Sequence, residues 1–149
     1  VNVVENELEA AIRNVLVNSA YLAAVITGFG AGHVWNGVAD EGTPAPYVVF
    51  NDQTSGGLGG AQHRYNFGDR RVLTDYVFLV KGLTKGLNTE LAGRIDKAID
   101  QTLHSVDLSV SGFTCLLCRR TSNVKYHEVE NGGTVYVHRG GLYAIQLTS

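Results

Sequence analysis

The stretch RRVLTDYVFLVKG, residues 70–82, constrains the fold more than any other part of the chain. Its centre is apolar on both sides of a two-residue repeat, with Tyr76, Phe78 and Val80 on one side and Val77 and Leu79 on the other. Such a strand needs cover on two faces, whereas helices on one side of a small antiparallel sheet supply only one. The second cover is either another layer of the same chain or another copy of it, and the pattern alone leaves both open. A length of 149 residues suits a single domain with one core, here spanning 1–149.

Around this strand the chain reads as helices, strands, a helix and strands again. Leu8, Ala11, Ile12, Val15 and Leu16 recur at helical spacing, with Glu5, Glu7 and Glu9 placing negative charge near the helix start. Asn18 and Ser19 offer a cap for a short second helix in which Leu22, Val25 and Ile26 face the core and Gly28 ends the turn. Short strands are expected at 34–35 and at 47–51, the latter opened by Pro46. A third helix runs from about 88 or 89 to about 104 on the stripe Leu91, Ile95, Ala98, Ile99 and Leu103. The remainder reads as strands at 115–119, 125–130, 134–138 and 143–147. A hairpin turn falls at Asn131-Gly132-Gly133, and a bulge or bend at Gly140-Gly141. Without regular βαβ alternation, the expected class is α+β, a mostly antiparallel β-sheet with helices packed on one face.

Composition narrows the function. A net charge of −2 excludes binding to nucleic acid through a large overall positive excess, so any polyanion contact must be local. No apolar run approaches the ~20 residues needed to span a bilayer, and acidic residues stand near the N-terminus where a signal peptide carries Lys or Arg. A soluble product made in the cytoplasm, with no membrane partner, is expected. Cys115 and Cys118 form a lone C-x-x-C in a β-like run, whose alternation would aim them at opposite faces. The five histidines show no metal-ligand spacing beside them, so both cysteines read as small hydrophobes. His127-Glu128 is the nearest approach to an acid/base pair, but strand neighbours point to opposite faces. With no nucleophile elbow and no H-E-x-x-H, no catalytic residue, metal site or cofactor is expected.

The segment TSGGLGGAQHRYNFGDRR, residues 54–71, poses a separate question. A phosphate-cradling glycine loop needs a helix N-terminus directly behind it, and here a strand follows. GFGAGH, from Gly28, lacks the third glycine of the dinucleotide spacing. What remains is a long, Gly-rich hairpin arm near 53–71 that settles against a partner, or a solvated hairpin tip. As an arm it would place Gly56, Gly57, Gly59, Gly60, Arg64, Arg70 and Arg71 at a subunit or partner interface, together with Tyr76 and Phe78 of the strand behind it. Arg64, Arg70 and Arg71 would also suit contact with phosphates, such as those of DNA, or with a carboxylate-bearing neighbour.

PAPYVVFND, preceded by SAYLAAVITGFGAGHVWNGVADEG, resembles the tail completion proteins of long-tailed bacteriophages, also described as tail terminators or tail-to-head joining proteins. The family pattern is a helix ending in a Leu-rich segment, a short "rVy" strand, a spacer, "PYvv", a long strand, a helix ending in "Lh" and a closing hairpin. In this chain the corresponding residues are 22–28, 33–35, 46–50, 74–81, 90–104 and 124–147. Trp35 stands where the pattern has Tyr, and the Gly-rich insertion is an addition to it. The resemblance implies a non-enzymatic virion protein at the head-proximal end of the tail. It would form a ring, commonly a hexamer, on the tail tube protein and dock to a head-completion protein of the neck. A head-completion protein of the same neck, or a small ligand- or nucleic-acid-binding module, are the alternative roles.

Overall fold

The computed structural model describes residues 6–53, 62–65, 71–87 and 89–148. Helices α1 (Glu7–Val17) and α2 (Ala20–Val25) come first, followed by strands β1 (Val34–Asn36), β2 (Tyr47–Asp52), β3 (Gln62–Tyr65) and β4 (Arg71–Lys85). Then come α3 (Thr89–Leu103) and strands β5 (Ser109–Val110), β6 (Phe113–Val129) and β7 (Val135–Thr148). The class is α+β, as the sequence pattern indicates. Among the described residues no helix is long and apolar enough to cross a membrane.

Local chemistry sets the helix ends. Asn6 caps α1 by accepting from the Glu9 N–H at 2.8 Å. Ser19 caps α2 by accepting from the Leu22 N–H, and its hydroxyl lies 2.6 Å from Thr102 Oγ1, tying the cap to α3. The stripe of α3 buries Ile95, Ala98, Ile99 and Leu103. With Leu8, Ile12 and Leu16 of α1 and Leu22 of α2, these residues pack on Val48, Phe50, Phe78, Val80, Tyr143, Ile145 and Leu147.

All strands join one sheet in the order β1-β2-β4-β7-β6-β5, and β3 pairs with β4 off that path. β1 runs parallel to β2 and the other pairings are antiparallel. β4 is the spine. β7 pairs along it from Leu73 to Lys85, β2 pairs with its C-terminal part through Leu83↔Tyr47 to Phe78↔Asp52, and β3 with its N-terminal part through Asp75↔Gln62 to Arg71↔Tyr65. The hairpin turn after β6 forms at the predicted Asn131-Gly132-Gly133, with both glycines at positive φ.

Three sequence expectations are corrected here. The segments 115–119 and 125–130 are one continuous strand, β6, and 134–138 and 143–147 are likewise one strand, β7. Gly140-Gly141 is not a bend. Gly140 lies opposite Lys81, where a Cβ would run into the Val80 carbonyl and the Lys81 backbone, so the missing side chain lets β7 and β4 stay close. The irregularities sit instead on β6, where the register shifts between Cys115 and Leu117 and between Arg120 and Ser122. The first shift also reverses the cysteine reading: Cys115 opposes Leu147 and Cys118 opposes Ile145, so both join the helix-facing side. Burial pushes the Cys118 thiol up to about 12, consistent with an inert small hydrophobe.

Candidate assembly surface

The two faces of the sheet differ. Alternation along β4 puts Phe78 and Val80 under the helices and Val77, Leu79, Lys81 and Leu83 on the other side. Val49, Leu83 and His138 are buried on this outer face, while Val77, Leu79, Leu142 and Ala144 are half-buried. Among the described residues no helix covers it. Among the described residues, two polar atoms on this face, Trp35 Nε1 and His138 Nδ1, are buried without a hydrogen-bond partner.

A polar cluster crosses the same face near the end of the β6–β7 hairpin. Tyr126 stacks on His138 with ring centroids 4.3 Å apart, and Lys81 lies 5.0 Å from the Tyr126 ring centre and bonds its hydroxyl. His138 Nε2 meets Glu128 Oε2 at 2.8 Å. Burial, and then the Lys81 charge, lower the His138 pKa against the opposing pull of Glu128. The imidazole is therefore neutral near pH 7.

Beyond this cluster, the 39–45 loop and the ends of β2, β4, β6 and β7 enclose an open groove of about 800 Å³. Tyr47, Leu83 and Tyr136 line it, with Glu41, Glu128 and Glu130 among its charged residues. Burial raises the Tyr47 pKa, and the neighbouring Tyr136, Glu128 and Glu130 raise it further.

On the helix side, a charged network fixes α3 to the long strands. Asp96 receives Arg120 Nη1 at 2.7 Å and Arg139 Nε at 3.1 Å, and the Tyr143 hydroxyl accepts from Arg120 Nε at 3.0 Å and donates to Asp100 at 3.1 Å. Burial alone would lower the Arg120 pKa, but Tyr143 and Asp96 more than offset it, and the pKa is raised. This side is built to hold itself together; the outer face is the one left partly open.

The predicted interface residues fall in different places. Phe78 is 0% exposed and Tyr76 packs beside it with ring centroids 6.4 Å apart, so on this strand the face available to a neighbour carries Val77 and Leu79. Arg64 stands on β3 and Arg71 at the start of β4. Gly56, Gly57, Gly59, Gly60 and Arg70 lie outside the described residues. Sequence reading found neither the Lys81–Tyr126–His138–Glu128 cluster nor the acidic groove. It set Glu128 beside His127, whereas the register brings His138 to it from the adjacent strand. Among the described residues no three His, Cys, Asp or Glu side chains gather as a metal site.

This architecture has a counterpart. The chain shares its fold with a chain in the virion of a native gene transfer agent particle. The likeness has a TM-score of 0.69 and covers 94% of this chain and 93% of that one at 16% identity. A second solved structure, described without a function, matches at TM-score 0.58 over 96% of this chain and 94% of its own, with 14% identity. No family model and no curated protein matches the sequence.

Proposed function

We propose that the protein is a structural component of a phage-like virion, forming a ring that terminates the tail tube at its head-proximal end and joins it to the neck. The observation that carries this reading is the likeness to a virion chain over nearly the full length of both. The unlayered outer face supports it. In a head-to-tail ring every protomer offers two different surfaces to its neighbours, so the half-buried Val77, Leu79, Leu142 and Ala144 gain their second cover from an identical chain. Six copies, a tail tube protein below and a head-completion protein above are the arrangement that the family resemblance implies. Catalysis has no part in this role.

Disrupting the gene in cells that make the particle, followed by electron microscopy, tests the proposal. The expected result is filled heads without attached tails and tubes of uneven length, restored by the gene supplied in trans. Particles of normal shape and number would overturn it.

A further inference from the structure

We infer that the α2–α3 side of one copy covers the outer sheet face of the next, with Arg94 and Lys97 entering the acidic groove at the end of that face. This inference rests on the ring reading and specifies which parts of two protomers meet. Between them α2 and α3 form an open groove of about 370 Å³. Ala20, Ala24 and Val25 give it an apolar lining, Tyr21 stands beside them 51% exposed, and its two charged residues, Arg94 and Lys97, are both cationic. The groove on the sheet has the opposite sign, with Asp40, Glu41, Glu128 and Glu130 against Lys85 alone. Its Tyr47 and Tyr136 offer surface on which a flat guanidinium can lie. Among the described residues, Lys97, Glu41 and Glu130 have no ion-pair partner in their own chain, and Arg94 meets only the exposed Glu90. Leu83 lines the acidic groove and lies ~13 Å along β4 from the half-buried Leu79, so groove and apolar patch are continuous. One contact then gives the patch its apolar cover and the carboxylates their counter-charges.

Geometry decides that the partner is another copy. Ile95, Ala98 and Ile99 turn α3 onto the helix-facing side of the sheet, against Phe78 and Val80, while Arg94 and Lys97 stand on the exposed side of the helix. Asp96 anchors α3 to β6 and β7 through Arg120 and Arg139, so the helix cannot swing round the sheet. The acidic groove opens on the opposite face, and the whole sheet separates the two sets of charges within one chain. A chain therefore cannot bring these cations to its own groove, whereas a second copy placed head to tail can. The sheet then has helices on both faces, the two covers that β4 requires. The contact is heterologous, and it closes into a ring or continues as a filament according to the rotation between copies.

Charge exchange tests this with the full chain. Arg94→Glu/Lys97→Glu reverses the helix side, and Glu41→Lys/Glu130→Lys reverses the groove while leaving the Glu128–His138 bond in place. Each double variant, folded as judged by circular dichroism, should self-associate at least tenfold more weakly than the wild type in sedimentation velocity. A 1:1 mixture of the two should assemble again as alternating copies, because each reversed groove then meets a reversed helix side. Assembly of either variant as strong as that of the wild type, or a mixture that stays apart, would overturn the inference while the ring reading stands. If the isolated wild type is monomeric, the same variants are read in the cells that make the particle. Each alone should cut the yield of tailed particles at least tenfold and the two together should restore it; full yield with either one, or no rescue with both, overturns the inference. If the Arg94→Glu/Lys97→Glu chain forms rings yet leaves heads and tails unjoined, the helix side serves another virion protein and the inference is likewise overturned. A wild-type chain that stays monomeric both in isolation and within particles would remove the ring reading and this contact together.

Discussion

Asp96→Ala removes the carboxylate that joins α3 to both long strands. One oxygen lies 2.7 Å from Arg120 Nη1 and the other 3.1 Å from Arg139 Nε, and the Asp96 and Arg120 side chains are each only 13% exposed. Breaking a buried pair while leaving one charge behind costs about 3–5 kcal/mol. Arg120 keeps Asp100 at 3.4 Å and the Tyr143 hydroxyl at 3.0 Å, which sets the expected loss near the lower end, about 3 kcal/mol. In a chain of this size that lowers Tm by ~6–12 °C. Adding Arg120→Met should recover much of the loss, because the buried Arg120 guanidinium is then gone and only Arg139, 34% exposed, is left without its carboxylate. The exposed Arg94–Glu90 pair, 64% and 76% open to solvent, is the control; Arg94→Ala should change stability by less than ~0.5 kcal/mol. Urea unfolding followed by circular dichroism measures all four chains. A loss below ~1 kcal/mol for Asp96→Ala, or a further loss on adding Arg120→Met, would refute the role given to this network.

The two faces of β4 should separate stability from assembly. Phe78→Ala should cost about 3–5 kcal/mol in urea unfolding, whereas Leu79→Asp should leave a folded monomer that no longer self-associates; wild-type assembly by Leu79→Asp would exclude the outer face as the subunit contact. His138 has a lowered folded pKa, so the unfolded chain binds its proton first and stability falls as pH drops below ~6.5 toward that lower value. His138→Gln should flatten that part of the pH profile, and an unchanged slope between pH 7.5 and 5 would count against it. Gly140→Ala, which drives a Cβ into the β4 backbone, should destabilise by more than ~2 kcal/mol; a neutral result would show that the strands separate readily there.

Elements with a strong period were readable before any coordinates. The apolar stripe of α3, the cap at Ser19, the acidic start of α1, the turn at 131–133 and the two apolar faces of β4 all follow from local spacing. The continuity of β6 was not readable, for a physical reason. Its register shifts beside Leu116 and Thr121 interrupt the alternation that identifies a strand, and much of its length is exposed, so hydrophobicity does not mark which face is which. The same shift hid the common orientation of Cys115 and Cys118. Glycine misled at 140–141, where it marks close backbone approach rather than a change of direction. Lys81, Tyr126, Glu128 and His138 come from different strands and meet only through the register of β4, β7 and β6, which no local pattern encodes.

The arrangement of β2 and β3 along β4 has an evolutionary consequence. The chain leaves that edge at Asp52, opposite Phe78, and returns at Gln62, opposite Asp75. Both ends of the intervening stretch are thus moored a few residues apart on one strand, and each doubling of its length adds only about 0.6 kcal/mol of closure entropy. Related chains can therefore lengthen, shorten or rewrite this stretch to suit a new partner without moving a single strand pairing elsewhere in the sheet.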